Sequence, residues 1–307
     1  MPVLARDRTA DWTFGGTWPF EPRFFETRSG RLHYVDEGPR DGRPVVMLHG
    51  NPTWSYLYRR FIPALTGADH RAIALDLLGF GRSDKPDDES AYAISSHLER
   101  IEELLGSLDL NDVCLVVHDW SGPIGLPWAV RNRDSVTRLM ILNTFAPRLP
   151  GPMGQGFSLR MLRVPGLGEL AAKVRPGITE SFLLGNGIRH HDRLDDNVKA
   201  AYRAPHPDRA SRAGTLAFPR EVPLRDDTPV ARLTRETAAA LERDFRDRPA
   251  RICWGMRDVL FDESVLDMWA DVLPQAKVTR IDDAGHFVQE DAHEQVIQEL
   301  LELLASA

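Results

Sequence analysis

The feature that most constrains this chain is the stretch of residues 115–125, which changes abruptly from an apolar run to small residues. Residues 115–117 are apolar, and the acid Asp119 stands just beyond the point where this run ends. The pattern predicts a strand, a sharp turn at Asp119 and then a helix. A carboxylate is already ionised at pH 7, so Asp119 can attack a saturated carbon directly. The resulting ester would then need water and a base for its cleavage.

Apolar runs and helical patterns alternate on both sides of this stretch. Strands are predicted at residues 44–48, 71–76, 113–118, 137–143, 251–255 and 277–281, the first two of them as runs buried on both faces. Two mixed-polarity strands are predicted before them, at 23–27 and 32–36. Helical patterns separate most of the later runs, at residues 54–65, 94–108, 124–130 and 263–272, and a last one lies at 293–304. This alternation predicts the α/β class, with a mostly parallel central sheet flanked by helices.

The alternation stops between residues 148 and 228. Pro-Gly pairs separate short helical pieces there, and no run typical of a buried strand is found. We interpret this segment as an inserted helical cap. The predicted organisation is therefore a core formed by residues 1–147 and 229–307, with the cap at 148–228.

Composition and charge exclude several classes of protein. The chain has 307 residues and a net charge of −7 with both signs well mixed, which argues against a nucleic-acid-binding surface. Cys114 and Cys253 lie in apolar runs, so we expect buried, reduced thiols. The first 14 residues include four charged ones and contain no apolar signal segment. We expect a cytoplasmic protein without a membrane span.

Chemically useful side chains follow four of the predicted strands. His49 and Asn51 come after one strand, Asp119 after another, and Asp258 and His286 after the last two. Binding sites in open parallel sheets form at the carboxyl ends of the strands. A nucleophile, an acid and a histidine thus occur in the chain order that α/β-hydrolases use.

Four motifs carry a resemblance to a known family. They are His-Gly-Asn-Pro-Thr-Trp at 49–54, Val-His-Asp-Trp-Ser-Gly at 117–122, Trp-Gly-Met-Arg-Asp at 254–258 and Ala-Gly-His-Phe at 284–287. With these motifs the chain resembles the haloalkane dehalogenase family over nearly its whole length, which implies the α/β-hydrolase fold. The family most often has glycine where Ser121 stands, so we expect a slightly relaxed turn there.

The resemblance implies a role for each of five residues. Asp119 would attack the carbon that bears the halogen, His286 would activate water against the ester, and Asp258 would orient the imidazole. The side chains of Asn51 and Trp120 would bind the departing halide, and their backbone N–H groups would form the oxyanion hole. The expected substrate is small, apolar and halogenated, the products are alcohol and halide, and no cofactor or metal is expected. We leave a homo-oligomer open.

Members of this family differ in the positions of the second halide donor and of the acid, and the sequence bears on both. Some take the second halide donor from a tryptophan in the cap, but residues 148–228 contain no tryptophan, which favours Asn51. Some have the acid just after the sixth strand, but residues 143–146 contain none, which favours Asp258. Asp262 and Asp283 are rivals of Asp258 on proximity alone.

Three other functions were weighed. A β-lactone decarboxylase would use the same aspartate to open a lactone ring and would release carbon dioxide and an olefin. An epoxide hydrolase would need cap tyrosines as donors, and the cap contains only Tyr202. A non-catalytic ligand receptor is expected to lose part of the triad, whereas this chain keeps every member.

Several other side chains have structural interpretations. We expect His49 to position its loop, and strand alternation predicts that His118 points away from Asp119. A set of apolar residues is assigned to either the core or an apolar pocket: Phe145, Phe157, Phe182, Leu183, Phe218 and Phe287.

Overall fold

The centre of the fold is an eight-stranded sheet in a computed structural model that describes residues 11–145, 179–222 and 227–306. The strands are β1 (Arg23–Thr27), β2 (Gly30–Glu37), β3 (Pro44–Leu48), β4 (Arg71–Leu75), β5 (Val113–Asp119), β6 (Val136–Thr144), β7 (Ala250–Gly255) and β8 (Lys277–Ile281). Their order in the sheet is β1-β2-β4-β3-β5-β6-β7-β8. Only β2 pairs antiparallel, with β1 and β4, and the other neighbours are parallel. The mostly parallel sheet is therefore confirmed.

Nine α-helices lie in the described residues. They are α1 (Phe61–Thr66), α2 (Ile94–Ser107), α3 (Ser121–Arg131), α4 (Asp196–Arg203), α5 (Ala213–Glu221), α6 (Pro229–Asp244), α7 (Glu263–Val272), α8 (Val288–Asp291) and α9 (His293–Ala305). Short 3₁₀ turns and one π-helical segment, Thr179–Gly187, complete the connections.

The helical pattern predicted at 54–65 is in fact two pieces, a 3₁₀ turn at Ser55–Tyr58 and helix α1. Pro63 explains the break, because a continuous helix would need a backbone N–H from Pro63, which proline lacks. In α1 the same proline lies in the first turn, where no intrahelical N–H bond is required.

The centre of the sheet is buried on both faces, which explains the continuous apolar runs of its central strands. The edge strands β1 and β8 are partly exposed. All residues of β3 and β5 are buried. Leu115 and Val117 belong to one apolar cluster, and Cys114 and Val116 belong to the cluster on the other face. Cys114 and Cys253 are free and buried, as predicted.

Residues 148–178 and 223–226 of the predicted cap lie outside the described residues. The described remainder, 179–222 and 227–228, contains the π-helical segment and helices α4 and α5. Trp54 donates its indole N–H to the carbonyl of Ala201 at 3.0 Å, so α4 is hydrogen-bonded to the loop that follows β3. None of the helices in the described part of the chain is long and apolar enough to cross a membrane.

Candidate active site

The turn after β5 places Asp119 at the carboxyl edge of the sheet. Asp119 is the last residue of the strand, and its φ of 53° lies in the left-handed region that non-glycine residues rarely adopt. Helix α3 begins two residues later, and it can approach β6 because residue 122 is a glycine. A Cβ at Gly122 would overlap the hydroxyl of Thr144. Such strained conformations cluster at functional sites, and here the strain presents the carboxylate of Asp119.

Ser121, which replaces the more usual glycine, has a hydrogen-bonded hydroxyl inside the turn. Its Oγ lies 2.7 Å from the carbonyl oxygens of Leu48 and His118, either of which can accept its hydrogen, and it accepts the backbone N–H of His118 at 2.7 Å. Because Leu48 ends β3 and His118 lies in β5, this hydroxyl ties together the two strand ends that carry the site. We expected the serine to relax the turn, and the structure accommodates it as part of the bonding between the strands.

The loop after β3 contacts the carboxylate of Asp119 directly. The backbone N–H of Asn51 donates to Asp119 Oδ1 at 2.7 Å. Gly50 permits this approach, because a Cβ at that position would overlap the carboxylate. The imidazole of His49 bonds the Gly50 carbonyl at 2.8 Å and accepts the N–H of Leu77 at 2.9 Å. His49 therefore positions this loop, as predicted.

The side chains of Asn51 and Trp120 lie in different surroundings. Asn51 Nδ2 donates to the carbonyl of Thr215 at 3.2 Å, while its Oδ1 is buried and has no partner among the described residues. The Trp120 ring stacks on Phe218, with centroids 5.1 Å apart, and contacts Phe145 at 4.2 Å. An amide has two N–H groups, so one remains for a ligand of the site.

His286 is fully buried between two aspartates. Its Nδ1 is 2.8 Å from Asp258 Oδ2, and its Nε2 is 3.5 Å from Asp119 Oδ2. Asp258 accepts two further hydrogen bonds, from the Leu260 N–H at 2.7 Å and from Asn143 Nδ2 at 2.8 Å. The structure thus brings the predicted nucleophile, base and acid together in one line.

The two rivals of Asp258 have other partners. Asp262 caps the start of α7 by accepting the N–H of Ser264 at 3.0 Å. Asp283 lies 3.3 Å from His190 Nε2 and is largely exposed. The geometry therefore places Asp258, and neither rival, against Nδ1 of His286.

The charges around His286 control its protonation. Burial by itself lowers the pKa of an imidazole because it disfavours the charged form. The negative charges of Asp258 and Asp119 outweigh burial and raise the pKa of His286 to about 10. While Asp119 is ionised, the imidazole of His286 therefore carries two protons at pH 7.

Aromatic rings form the wall around this imidazole. Phe287, Phe182 and Phe261 have ring centroids 4.7, 5.2 and 5.5 Å from that of His286. Phe145 and Phe218 contact Trp120 instead, and Phe157 lies outside the described residues. Among the described residues, no group of three or more His, Cys, Asp or Glu could hold a metal ion.

Sequence reasoning missed several contacts of the site, including that of Phe261 with His286. Asn143 bonds Asp258, although the strand end at 143–146 was considered only for its lack of an acid. His118 Nε2 lies 2.9 Å from the backbone carbonyl of His286, a contact that strand alternation alone does not predict.

Comparisons with known proteins show the family to which the chain belongs. The alpha/beta hydrolase fold family matches residues 43–293. A cis-3-alkyl-4-alkyloxetan-2-one decarboxylase of Shewanella oneidensis is 37% identical over 91% of this chain and 86% of its own length. Haloalkane dehalogenase 1 of Mycobacterium tuberculosis is 37% identical over 92% of this chain and 93% of its own. A tetrameric haloalkane dehalogenase structure from Paraglaciecola agarilytica superposes with a TM-score of 0.82 at 28% identity, covering 95% and 94% of the two chains.

The chain therefore belongs to the α/β-hydrolase family. Within that family it is a haloalkane-dehalogenase-like hydrolase, as its resemblance to the dehalogenases predicts.

Proposed function

We propose that this protein hydrolyses small haloalkanes through a covalent ester on Asp119. The observation that carries the proposal is the placement of this carboxylate, with Oδ1 held by the Asn51 N–H and Oδ2 3.5 Å from Nε2 of His286. An oxygen of Asp119 forms a bond to the carbon as the carbon–halogen bond breaks, and the halide leaves with the bonding electrons. A buried anion beside apolar rings is a stronger nucleophile than a hydrated one.

The halide leaves toward neutral N–H donors in this proposal. Asn51 keeps one amide hydrogen free of Thr215, and the indole N–H of Trp120 supplies the second donor. Neutral donors stabilise the developing negative charge without trapping the product as an ion pair. Phe145 and Phe218 pack against the indole ring and restrict its orientation.

Ester hydrolysis follows from the change of charge on Asp119. The ester is neutral, so its formation removes one of the two charges that raise the pKa of His286. His286 can then lose a proton and accept another from water, which attacks the ester carbonyl. Asp258 stabilises the imidazolium that forms. The Asn51 N–H already bonds the oxygen on which negative charge develops. Among the described residues it is the only backbone donor to this carboxylate, so the N–H of Trp120 remains a predicted second donor.

A second candidate reaction is β-lactone decarboxylation, which the Shewanella oneidensis relative favours by its 37% identity over 91% of this chain. Asp119 would attack the saturated ring carbon that bears the ring oxygen and break the bond between them. The ring oxygen then becomes part of a carboxylate on the neighbouring carbon. Loss of carbon dioxide would then form the olefin and expel Asp119. This sequence consumes no water.

Epoxide hydrolysis has less support. Tyr202 is the only tyrosine between residues 148 and 228, and it is fully buried with its hydroxyl donating to Glu290. That hydroxyl is therefore already engaged and is a poor donor for an epoxide oxygen.

Substrates of the two kinds separate the candidates. We expect purified protein to release bromide from 1-bromobutane and 1,2-dibromoethane, and the Asp119→Ala variant to release none. The His286→Phe variant should release about one bromide per site and retain the alkyl group on the Asp119 peptide in mass spectra. No bromide from folded protein would contradict dehalogenation. In that case a cis-β-lactone that yields olefin and carbon dioxide, with turnover surviving in His286→Phe, would identify the second reaction.

The proposed partners are a small halogenated substrate, water and the halide product. The tetrameric relative supports a homo-oligomer, which size-exclusion chromatography with light scattering would measure.

A further inference from the structure

A buried histidine beside the nucleophile has no role in the proposed reaction. His118 directly precedes Asp119 in β5 and is fully buried. Its ring centroid lies 4.7 Å from that of His286 and 5.5 Å from that of Phe287. The ring therefore packs beneath the segment that carries the proposed base.

The hydrogen bond of His118 defines its tautomer. Nε2 is 2.9 Å from the backbone carbonyl of His286, and a carbonyl only accepts, so Nε2 carries the hydrogen. Nδ1 is buried and has no partner among the described residues. Burial lowers the pKa of His118 well below its usual value, and the nearby positive charge of His286 acts in the same direction. His118 is thus a neutral donor to the main chain of His286.

This bond acts at a different point from the bond made by Asp258. His286 lies in the connection between β8 and α8, which is not regular secondary structure. Asp258 holds the imidazole at Nδ1, and His118 holds the backbone carbonyl of the same residue. Because His118 and Asp119 are adjacent in the chain, the position of His286 is fixed relative to the nucleophile itself.

We propose that His118 is a positioning residue for His286, whose main chain it holds so that the imidazole stays aligned with Asp258 and with the ester on Asp119. The inference rests on the proposed role of His286 as the base for ester hydrolysis. Attack on the substrate needs Asp119 and the halide donors but no proton transfer by His286. Loss of the His118 bond should therefore slow hydrolysis of the ester and spare its formation.

Three substitutions separate the hydrogen bond from packing. His118→Gln places an amide N–H near the position of Nε2, His118→Asn has the same amide on a shorter side chain, and His118→Met fills the space without a donor. Rapid-quench measurement with 1-bromobutane gives ester formation as the first burst of bromide and ester hydrolysis as the later steady release.

We expect the Met and Asn variants to lose about ten- to hundredfold in steady release, since small misplacements of a catalytic group have effects of this size. Their burst rates should stay within about threefold of wild type, and the Gln variant should recover most of the steady rate. Equal slowing of both phases, or unchanged steady release in the Asn variant, would overturn the proposal. If the Met variant does not fold, comparison of steady bromide release between the Asn and Gln variants tests the proposal.

A second measurement does not depend on activity. The Nδ1–H of His286, bonded to Asp258, should give a low-field proton resonance in the wild-type and Gln proteins. We expect faster exchange of this proton with water in the Asn and Met variants. Unchanged exchange in both would overturn the positioning role. Absence of bromide release by the wild type would instead count against the proposed function, and the resonance would still test His118.

Discussion

Replacement of Glu290 by glutamine should destabilise the protein, because it leaves a buried guanidinium without its counter-ion. Glu290 is fully buried and accepts hydrogen bonds from both terminal nitrogens of Arg59, with the Nη2–Oε2 pair at 2.8 Å. The side chain of Arg59 is only 5% exposed. Tyr202 of helix α4 donates to the same carboxylate. Glutamine keeps the size of the side chain and an acceptor for Tyr202 but removes the charge.

The size of the effect follows from burial. Removal of one partner of a buried ion pair costs about 3–5 kcal/mol, because the remaining charge stays desolvated. Unfolding entropy is about 2.1 cal/mol/K per residue, so for a chain of 307 residues the midpoint should fall by about 5–8 °C. Differential scanning calorimetry at pH 7 measures this fall. The double variant Arg59→Met/Glu290→Gln has no buried charge at this pair and should lie closer to wild type than Glu290→Gln alone.

The difference in stability between wild type and Glu290→Gln should depend on pH. Burial raises the pKa of Glu290, but the charge and hydrogen bonds of Arg59 outweigh burial and bring the pKa below its usual 4.5. The contribution of the carboxylate is therefore fully present above pH 4.5 and is lost as the pH falls through the lower folded value. The difference in melting temperature between wild type and Glu290→Gln should therefore become smaller under acid conditions. A melting temperature of Glu290→Gln within 1 °C of wild type at pH 7 would refute the reasoning. A fall in the double variant as large as the falls in Arg59→Met and Glu290→Gln added together would also refute it.

Two further predictions concern the site itself. Gly122→Ala should lower the rate of ester formation by about a hundredfold, because the methyl group would overlap Thr144 and displace the start of α3. Burst kinetics measure this rate, and an unchanged burst would contradict the close approach of α3 to β6. The imidazole of His286 should remain doubly protonated up to a pH of about 10 in the free protein. Its pKa should fall in Asp119→Asn, which lacks one of the two charges; NMR titration of the ring measures both values, and equal values would exclude Asp119 as a cause of the shift.

The central strands of the sheet could be predicted because they are buried on both faces. The predicted strand at 277–281 and helix at 263–272 have the observed bounds. Helix α6 was missed, since it is rich in charged residues and its apolar face is interrupted. A signal was available in Thr228 and Pro229, a capping residue followed by proline at the first helical position.

The five proposed site residues could be predicted because each follows a strand at the same edge of the sheet. Their supporting contacts could not, because they join parts of the chain that are far apart in sequence. His118 and His286 are 168 residues apart, and Asn143 and Asp258 are 115 apart. Such pairs depend on how loops lie over the strand ends, and no local pattern describes that.

The two candidate reactions differ in the charge that remains after the first step, and this difference bears on what His286 can do. When a halide departs, the ester on Asp119 is neutral and only Asp258 continues to raise the pKa of His286. When a lactone ring opens, the carboxylate that forms stays attached to the ester and keeps a negative charge near the imidazole. An opposite charge close to the imidazole would favour the imidazolium, which cannot accept a proton from water. We therefore expect a haloalkane ester to be hydrolysed, and a ring-opened lactone to retain its ester long enough to lose carbon dioxide.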